Sequence, residues 1–485
     1  MNSTNRLGIS PGFSQKDFNL IAYGGFGDGL NAYAHSMAWF NDYLYVATMR
    51  GNFPLMKARL PIGMDPWPVE CPENPFDLDL HAEIWRYSLH DDSWERVHKS
   101  PTIIGTHGKP IPRELGCRGM LVYQADEDDV PALFVSTWSP AKGPGPVLLR
   151  SLDGKKFEPS CEPGLLGLPV TTIRTMTQFK GRLYTTPAGS RGGNPNVSSH
   201  SIVYESKDPA QGKWEPVSEF GFGDTGNKTV FEMTGFGDYL YVGTFNLEGY
   251  QIWRTTAEGE TPYHWGKVIE RGAYRGELNQ CVLSMYPFKG ALYVGSAIQG
   301  GGIDRQNKIG PAAPELIRIF EDGHWDLLVG QPRNTPDGYK PPLSGYFPGF
   351  DNFFNGYFWR MCEHNDWLYL STLDWSSVIG YAHRGTWPEA FTNIINHLGV
   401  DFFMENQSGF DLYRSFDGEN WVPVTTNGMG NPYNFGLRTL VSSPYGLFLG
   451  TANPFGPRII PVRGDRYVHN PRGGCEVYFA PDHKY

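Results

Sequence analysis

A ten-residue pattern recurs along this chain and constrains its fold more than any other feature. It runs Met37-Ala-Trp-Phe-Asn-Asp-Tyr-Leu-Tyr-Val46 and returns from Met176, Met233, Met285 and Met361, with looser copies from Met120 and Leu440, seven in all. Each copy joins two short apolar runs through Asn-Asp, Lys-Gly, Gly-Asp or Pro-Tyr-Gly, which is hairpin chemistry. A third strand follows each hairpin, as in Glu83-Ile-Trp-Arg86, Gln251-Ile-Trp-Arg254 and Asp411-Leu-Tyr-Arg414. A fourth opens with an aromatic, at Trp94, Phe157, Trp214, Trp265, Trp325 and Trp421, so one fourth strand is missing at the C-terminus. Phe18–Asp28 aligns with Trp214–Asp224, and the N-terminal strand is therefore expected to complete the last unit. Radial repetition of four-stranded sheets buries both faces of each sheet against its neighbours and leaves only short edges. The reading is an all-β, seven-bladed β-propeller with four strands per blade, closed by the N-terminal strand. Residues 1–485 form one domain.

The turn aspartates ahead of aromatics, Asp153-Gly154, Asp322-Gly323 and Asp417-Gly418, resemble the Asp-box hairpins of sialidase-type propellers. The recurrence is also similar in architecture to kelch and tryptophan-aspartate propellers. Such resemblances imply a fold and not an activity. In outline the chain is similar to two enzyme groups. One is the ulvan-type polysaccharide lyases, whose His, Tyr and Arg on a propeller face carry out β-elimination. The other is the cyanobacterial propeller that alkylates resorcinol rings with alkyl chlorides. That second resemblance implies a calcium-binding domain, for which this chain has neither repeat nor room.

Composition narrows the partners. With 40% apolar residues the chain can bury a large core, and a net charge of −10 argues against nucleic acid or an anionic membrane surface. No apolar run reaches the length of a spanning helix, and Met1–Leu20 is polar without a signal-type pattern, so a cytoplasmic monomer is expected. The six cysteines form no CxxC pair and read as free thiols. The 13 histidines form no HxH or HxxxH pair, and no phosphate-binding or dinucleotide-binding fingerprint stands in a suitable context, so neither metal nor cofactor is expected.

Loop lengths point to a working face. Turns within hairpins are tight, whereas residues 49–80, 331–355 and 373–409 form long insertions at the opposite end of the ring. Long loops in compact domains are usually functional. A helix is expected from Pro388, and the aromatics of 331–355 read either as a lid or as packing. Seven copies also provide an internal control: what recurs is scaffold, and what occurs once is a candidate for function. The recurring Glu83, Gln251, Glu315, Asp411 and Glu476 read as structural.

Two positions before the repeat Met or Leu, the innermost strands differ: His35, Arg118, Arg174, Phe231, Leu283, Trp359 and Arg438. One position before it stand Glu232 and Arg360, and the second strands end near Arg50, Trp138, Asp374 and Trp375. Convergence on one axis would gather Arg50, Arg118, Arg174, Arg360 and Arg438, with Trp138, Trp359 and Trp375, as a substrate-binding set. Guanidinium forks suit carboxylate, phosphate or phenolate oxygens. His35, Glu232 and Asp374 are the candidate catalytic groups, since a proton must be moved. The expected function is an enzyme of specialised metabolism converting a small carboxylate or phenolate at the axial mouth, by alkyl transfer or lyase chemistry. The alternatives are a non-catalytic propeller gripping a peptide or glycan, and a polysaccharide lyase.

Overall fold

The computed structural model describes residues 11–482, except 60–62, 127, 192–193, 199, 383–386 and 388. The chain is all-β, a β-propeller built of antiparallel meanders. The inner strands are Asn31–Phe40, Gly116–Tyr123, Thr172–Phe179, Thr229–Phe236, Cys281–Phe288, Asn355–His364 and Gly436–Ser443. Each pairs with the strand that follows its hairpin turn, as Thr229–Phe236 does with Tyr239–Phe245. Third and fourth strands continue outward, as in Leu316–Ile319 and Trp325–Val329. The N-terminal strand Asn19–Ala22 pairs with Val477–Pro481 near the C-terminus. Tyr33 lies opposite Ala452, and the Thr439 hydroxyl donates to the Ala34 carbonyl at 3.3 Å.

The recurring polar residues explain why the meanders repeat. An Asn at the head of an inner strand (Asn31, Asn227, Asn355, Asn434) donates to a glycine carbonyl six residues earlier, at 2.9–3.0 Å. Asn279 donates likewise to the Gly272 carbonyl, seven residues earlier, at 2.9 Å. The same amide donates to the acid or amide opening the third strand: Glu83, Gln251, Glu315, Asp411 or Glu476. These buried nodes satisfy the loop backbone that enters each inner strand, the structural role expected of them. Turns between third and fourth strands are fixed by aspartates: Asp153 and Asp417 each accept from the two amides two and three residues on, at 2.8–2.9 Å.

The long loops carry short helices, Asn52–Arg59, Glu389–Leu398 and Val400–Asn406. The second falls where a helix was expected, although Pro388 lies outside the described residues. The first and third have no comparable sequence signal. In the 331–355 segment Phe350 stacks on Tyr413 with centroids 3.9 Å apart, and Phe354 packs on Trp375, so these two rings serve packing, whereas Tyr339 and Phe347 are exposed. Gly300 and Gly301 donate their amides to the Tyr357 hydroxyl at 2.9 and 2.6 Å.

Candidate functional site

The axis is lined by one recurring defect. Each inner strand shifts register against its neighbour at the same place: between Ala34 and Ser36, Cys117 and Gly119, Ile173 and Met176, Val230 and Glu232, Val282 and Ser284, Phe358 and Arg360, Leu437 and Thr439. A β-bulge leaves one residue outside the ladder and re-aims its side chain. The residues so released are His35, Arg118, Arg174, Phe231, Leu283, Trp359 and Arg438, with Thr175 beside Arg174. These are the variable positions singled out in the sequence.

Six ionisable side chains from these bulges and the positions after them line a cavity of about 200 Å³: His35, Arg118, Arg174, Glu232, Arg360 and Arg438. Arg360 Nη1 donates to Glu232 Oε2 at 2.9 Å and to the Leu283 carbonyl at 2.7 Å. Glu232 Oε1 accepts from the Thr175 hydroxyl at 2.8 Å, so this carboxylate is held from both sides. Arg118 and Arg174 each donate through Nη1 to Asn196 Oδ1 at 2.8 Å, and Arg174 lies over the Phe231 ring at 3.5 Å. Asn196, from a long loop, was not among the sequence candidates. Nothing in the strand repeat reports how far that loop descends.

Charge is poorly balanced in this space. Four guanidinium groups face one carboxylate, which leaves three positive charges without a counter-ion among the lining residues. Arg118 Nε, Arg438 Nη1 and His35 Nδ1 are buried without a hydrogen-bond partner among the described residues. Burial first, and the neighbouring guanidinium groups second, push the Arg118 and Arg438 pKa values well down. Burial moves Arg174 to about 10. His35 is likewise driven well below the ordinary imidazole range, by burial and then by Arg438 and Arg118, so its ring is neutral at neutral pH. Buried like charges are tolerated when an anion supplies the missing partner.

The other sequence candidates lie elsewhere. Arg50 is fully buried in a polar node, donating to Asn31 Oδ1 at 3.0 Å and Asp28 Oδ2 at 2.5 Å. Asp374 occupies the corresponding node of another meander, bonded to Asn352 and Ser376. Neither lines the cavity. Trp138 and Trp359 stand directly behind it, 5.5 Å from Arg118 and 5.3 Å from Arg438. Trp375 belongs to the same apolar cluster further out, against Phe354 and Trp387. The second-strand ends therefore feed two different places, and strand position alone does not separate them.

That apolar cluster extends from the inner strands into the insertions. Tyr33, Phe231, Leu283, Trp359 and Phe435, in or next to the inner strands, join Phe53, Trp67, Phe403 and Phe455 from the insertions and loops. Among the described residues no group of three or more His, Cys, Asp or Glu could hold a metal ion, and no helix is long and apolar enough to cross a membrane. All six cysteines are free.

No protein-family model and no curated protein matches the chain. Among solved structures it is similar to the Dos1 propeller, with 6% identity, coverage of 96% of this chain and 94% of that one, and a TM-score of 0.43. It is similar to a chain of the mitotic checkpoint complex at 8% identity, 99% and 95% coverage and a TM-score of 0.42. A further likeness is to the α-L-arabinanase of Penicillium chrysogenum, at 11% identity, 74% and 93% coverage and a TM-score of 0.39.

Proposed function

We propose that this chain is a seven-bladed β-propeller, closed by its N-terminal strand, that takes a small organic anion into the axial cavity and moves a proton to or from it with His35. Support for the blade count and closure comes from the pairing of Asn19–Ala22 with Val477–Pro481 and from the contact of Tyr33 with Ala452. The observation that carries the functional reading is the set of buried, unpartnered nitrogens on Arg118, Arg438 and His35 beside three uncompensated positive charges. An anion with oxygen acceptors would satisfy both deficits at once. Charge-assisted hydrogen bonds of this kind are about twice as strong as neutral ones. The three arginines then also stabilise negative charge that develops on the bound molecule.

His35 is the proton carrier because a neutral imidazole inside a cationic cavity can accept a proton from a bound acid and return it. Glu232 is committed to Arg360 and Thr175 and acts as the fixed counter-charge. Asp374, outside the cavity, takes no part.

The test is calorimetric titration of the protein with benzoate in a weakly interacting buffer, followed by mass spectrometry of host-cell extract incubated with wild-type protein or with His35→Gln. The expected results are saturable binding lost in Arg118→Ala and Arg438→Ala, and depletion of one anionic species in molar excess by wild type only. Binding that survives both arginine substitutions would sink the anion site. One-to-one retention without turnover would leave a binding protein and remove His35 from chemistry.

A further inference from the structure

We infer that the cavity takes an amphiphilic anion head first from the tight-turn face, with the charged group on the arginines and an apolar ring or short chain in a collar of thioethers; this rests on the reading of the cavity as an anion site.

Strand polarity orders the lining. Each inner strand runs from the loop end of the ring to a tight hairpin turn. The bulge residues His35, Arg118, Arg174 and Arg438 therefore lie on the loop side, and the repeat residues two positions later lie on the turn side. Five of those repeat residues are methionines that line the cavity (Met37, Met120, Met176, Met285 and Met361), and Leu440 is the sixth. On the loop side, apolar residues of the insertions pack against the inner strands in the cluster described above. On the turn side the strands become accessible: Leu121, Thr177, Tyr286 and Val441 are half-buried, and Gln178 and Ser442 are exposed. The inferred route to the arginines therefore runs past the methionines, from the turn side.

A charged floor beneath an apolar collar selects for molecules with the same polarity. Methionine is unbranched and polarizable, adapts to irregular shapes, and makes favourable contacts between sulfur and aromatic rings. A bare inorganic anion would satisfy the arginines and leave the collar wet. A large ligand is excluded, because about 200 Å³ lies below the 300–1,000 Å³ typical of drug-sized sites. The class that satisfies floor, collar and volume together is a single-ring aryl carboxylate or phenolate, or a short-chain fatty carboxylate.

Calorimetry with benzoate, acetate and phosphate at one ionic strength tests this. Benzoate is expected to bind at least about tenfold more tightly than acetate or phosphate, the factor that 1.4 kcal/mol of apolar burial supplies. Met176→Gln and Met285→Gln should reduce benzoate affinity several-fold, with acetate affinity unchanged and Met176→Leu close to wild type. Alkylating Met120→Cys with a bulky maleimide should block benzoate, whereas wild type treated identically should bind normally, as should Arg463→Cys, at an exposed loop-side residue that pairs with Asp401 of the Val400–Asn406 helix. Binding that needs the arginines but shows no preference for benzoate, or collar substitutions that weaken all three probes equally, would overturn this inference alone. Blockage from Arg463→Cys and not from Met120→Cys would reverse the direction of entry. Failure of every probe to bind in an arginine-dependent way would overturn the anion site together with it.

Discussion

The node around Asp374 gives a quantitative test of the polar scaffold. In other meanders the residue at this place donates to the inner-strand asparagine: Arg50 to Asn31 Oδ1 at 3.0 Å, Asn246 to Asn227 Oδ1 at 3.1 Å, Asn453 to Asn434 Oδ1 at 3.3 Å. Asp374 can donate only when protonated. Asn355 Oδ1 and Asp411 Oδ1 are both buried without a donor. Burial, reinforced by the Asp411 carboxylate, pushes Asp374 up to about 8, and burial raises Asp411 to about 6. Both values lie above the ordinary carboxylate range near 4. Raised pKa values mean that the folded protein holds a proton the unfolded chain releases. The associated stability is complete below about pH 4 and is lost as pH rises toward 8. Between pH 6 and 8 the pair retains about one proton, so wild type loses roughly 1.4 kcal/mol of stability per pH unit from this node. Asp374→Asn carries a permanent donor and no titration. Its stability relative to wild type should improve by about 2–3 kcal/mol from pH 6 to pH 8, measured by urea denaturation at several pH values. A difference between the two proteins that stays flat with pH would refute the shared proton and the donor role assigned to this position.

Asn196→Asp places a carboxylate between Arg118 and Arg174; it should raise the thermal midpoint by about 1–3 °C, the result of a stabilisation of about 1–3 kcal/mol in a chain of this size, and abolish benzoate binding in calorimetry. Arg438→Met removes a buried cation with an unpartnered nitrogen and should stabilise the anion-free protein while weakening benzoate at least about tenfold, a trade visible in paired melting and titration curves. With His35 held neutral, benzoate affinity should stay level from about pH 6 to 8, and a steep gain in affinity on acidification within that range would contradict the neutral ring. Gly418→Ala meets the Tyr293 side chain at a positive backbone angle and should destabilise the fold by about 2 kcal/mol or more, measured by denaturant melts, whereas Gly323→Ala, with open space around it, should cost only the backbone strain.

Much of the scaffold was legible because its parts recur. Hairpin turns, the opening acid of the third strand and the N-terminal strand's partner could be read by aligning the chain with itself. The arginines Arg118, Arg174, Arg360 and Arg438 were legible for the opposite reason, as departures from the repeat. Their convergence depended on bulges that no residue pattern announces. Arg50 and Asp374 show the limit of strand position: each ends a second strand, yet points into a polar node and not toward the axis, a difference of one residue in facing. The methionines show a different limit. They recur in nearly every copy and so read as scaffold, although five of them line the cavity. A residue can be repeated by symmetry and still face a ligand.

The recurring bulge has an evolutionary consequence. A side chain released from the ladder can change without breaking a strand-to-strand hydrogen bond, so each meander offers one freely variable letter to the axis. Seven such letters here spell His, Arg, Arg, Phe, Leu, Trp and Arg, at positions 35, 118, 174, 231, 283, 359 and 438. Exchanging the arginine letters for acids would invert the preference from anions to cations while the nodes, turns and outer strands kept their sequence. The scaffold thus separates the inheritance of shape from the inheritance of specificity, and relatives with the same ring can diverge in ligand by rewriting a seven-letter word.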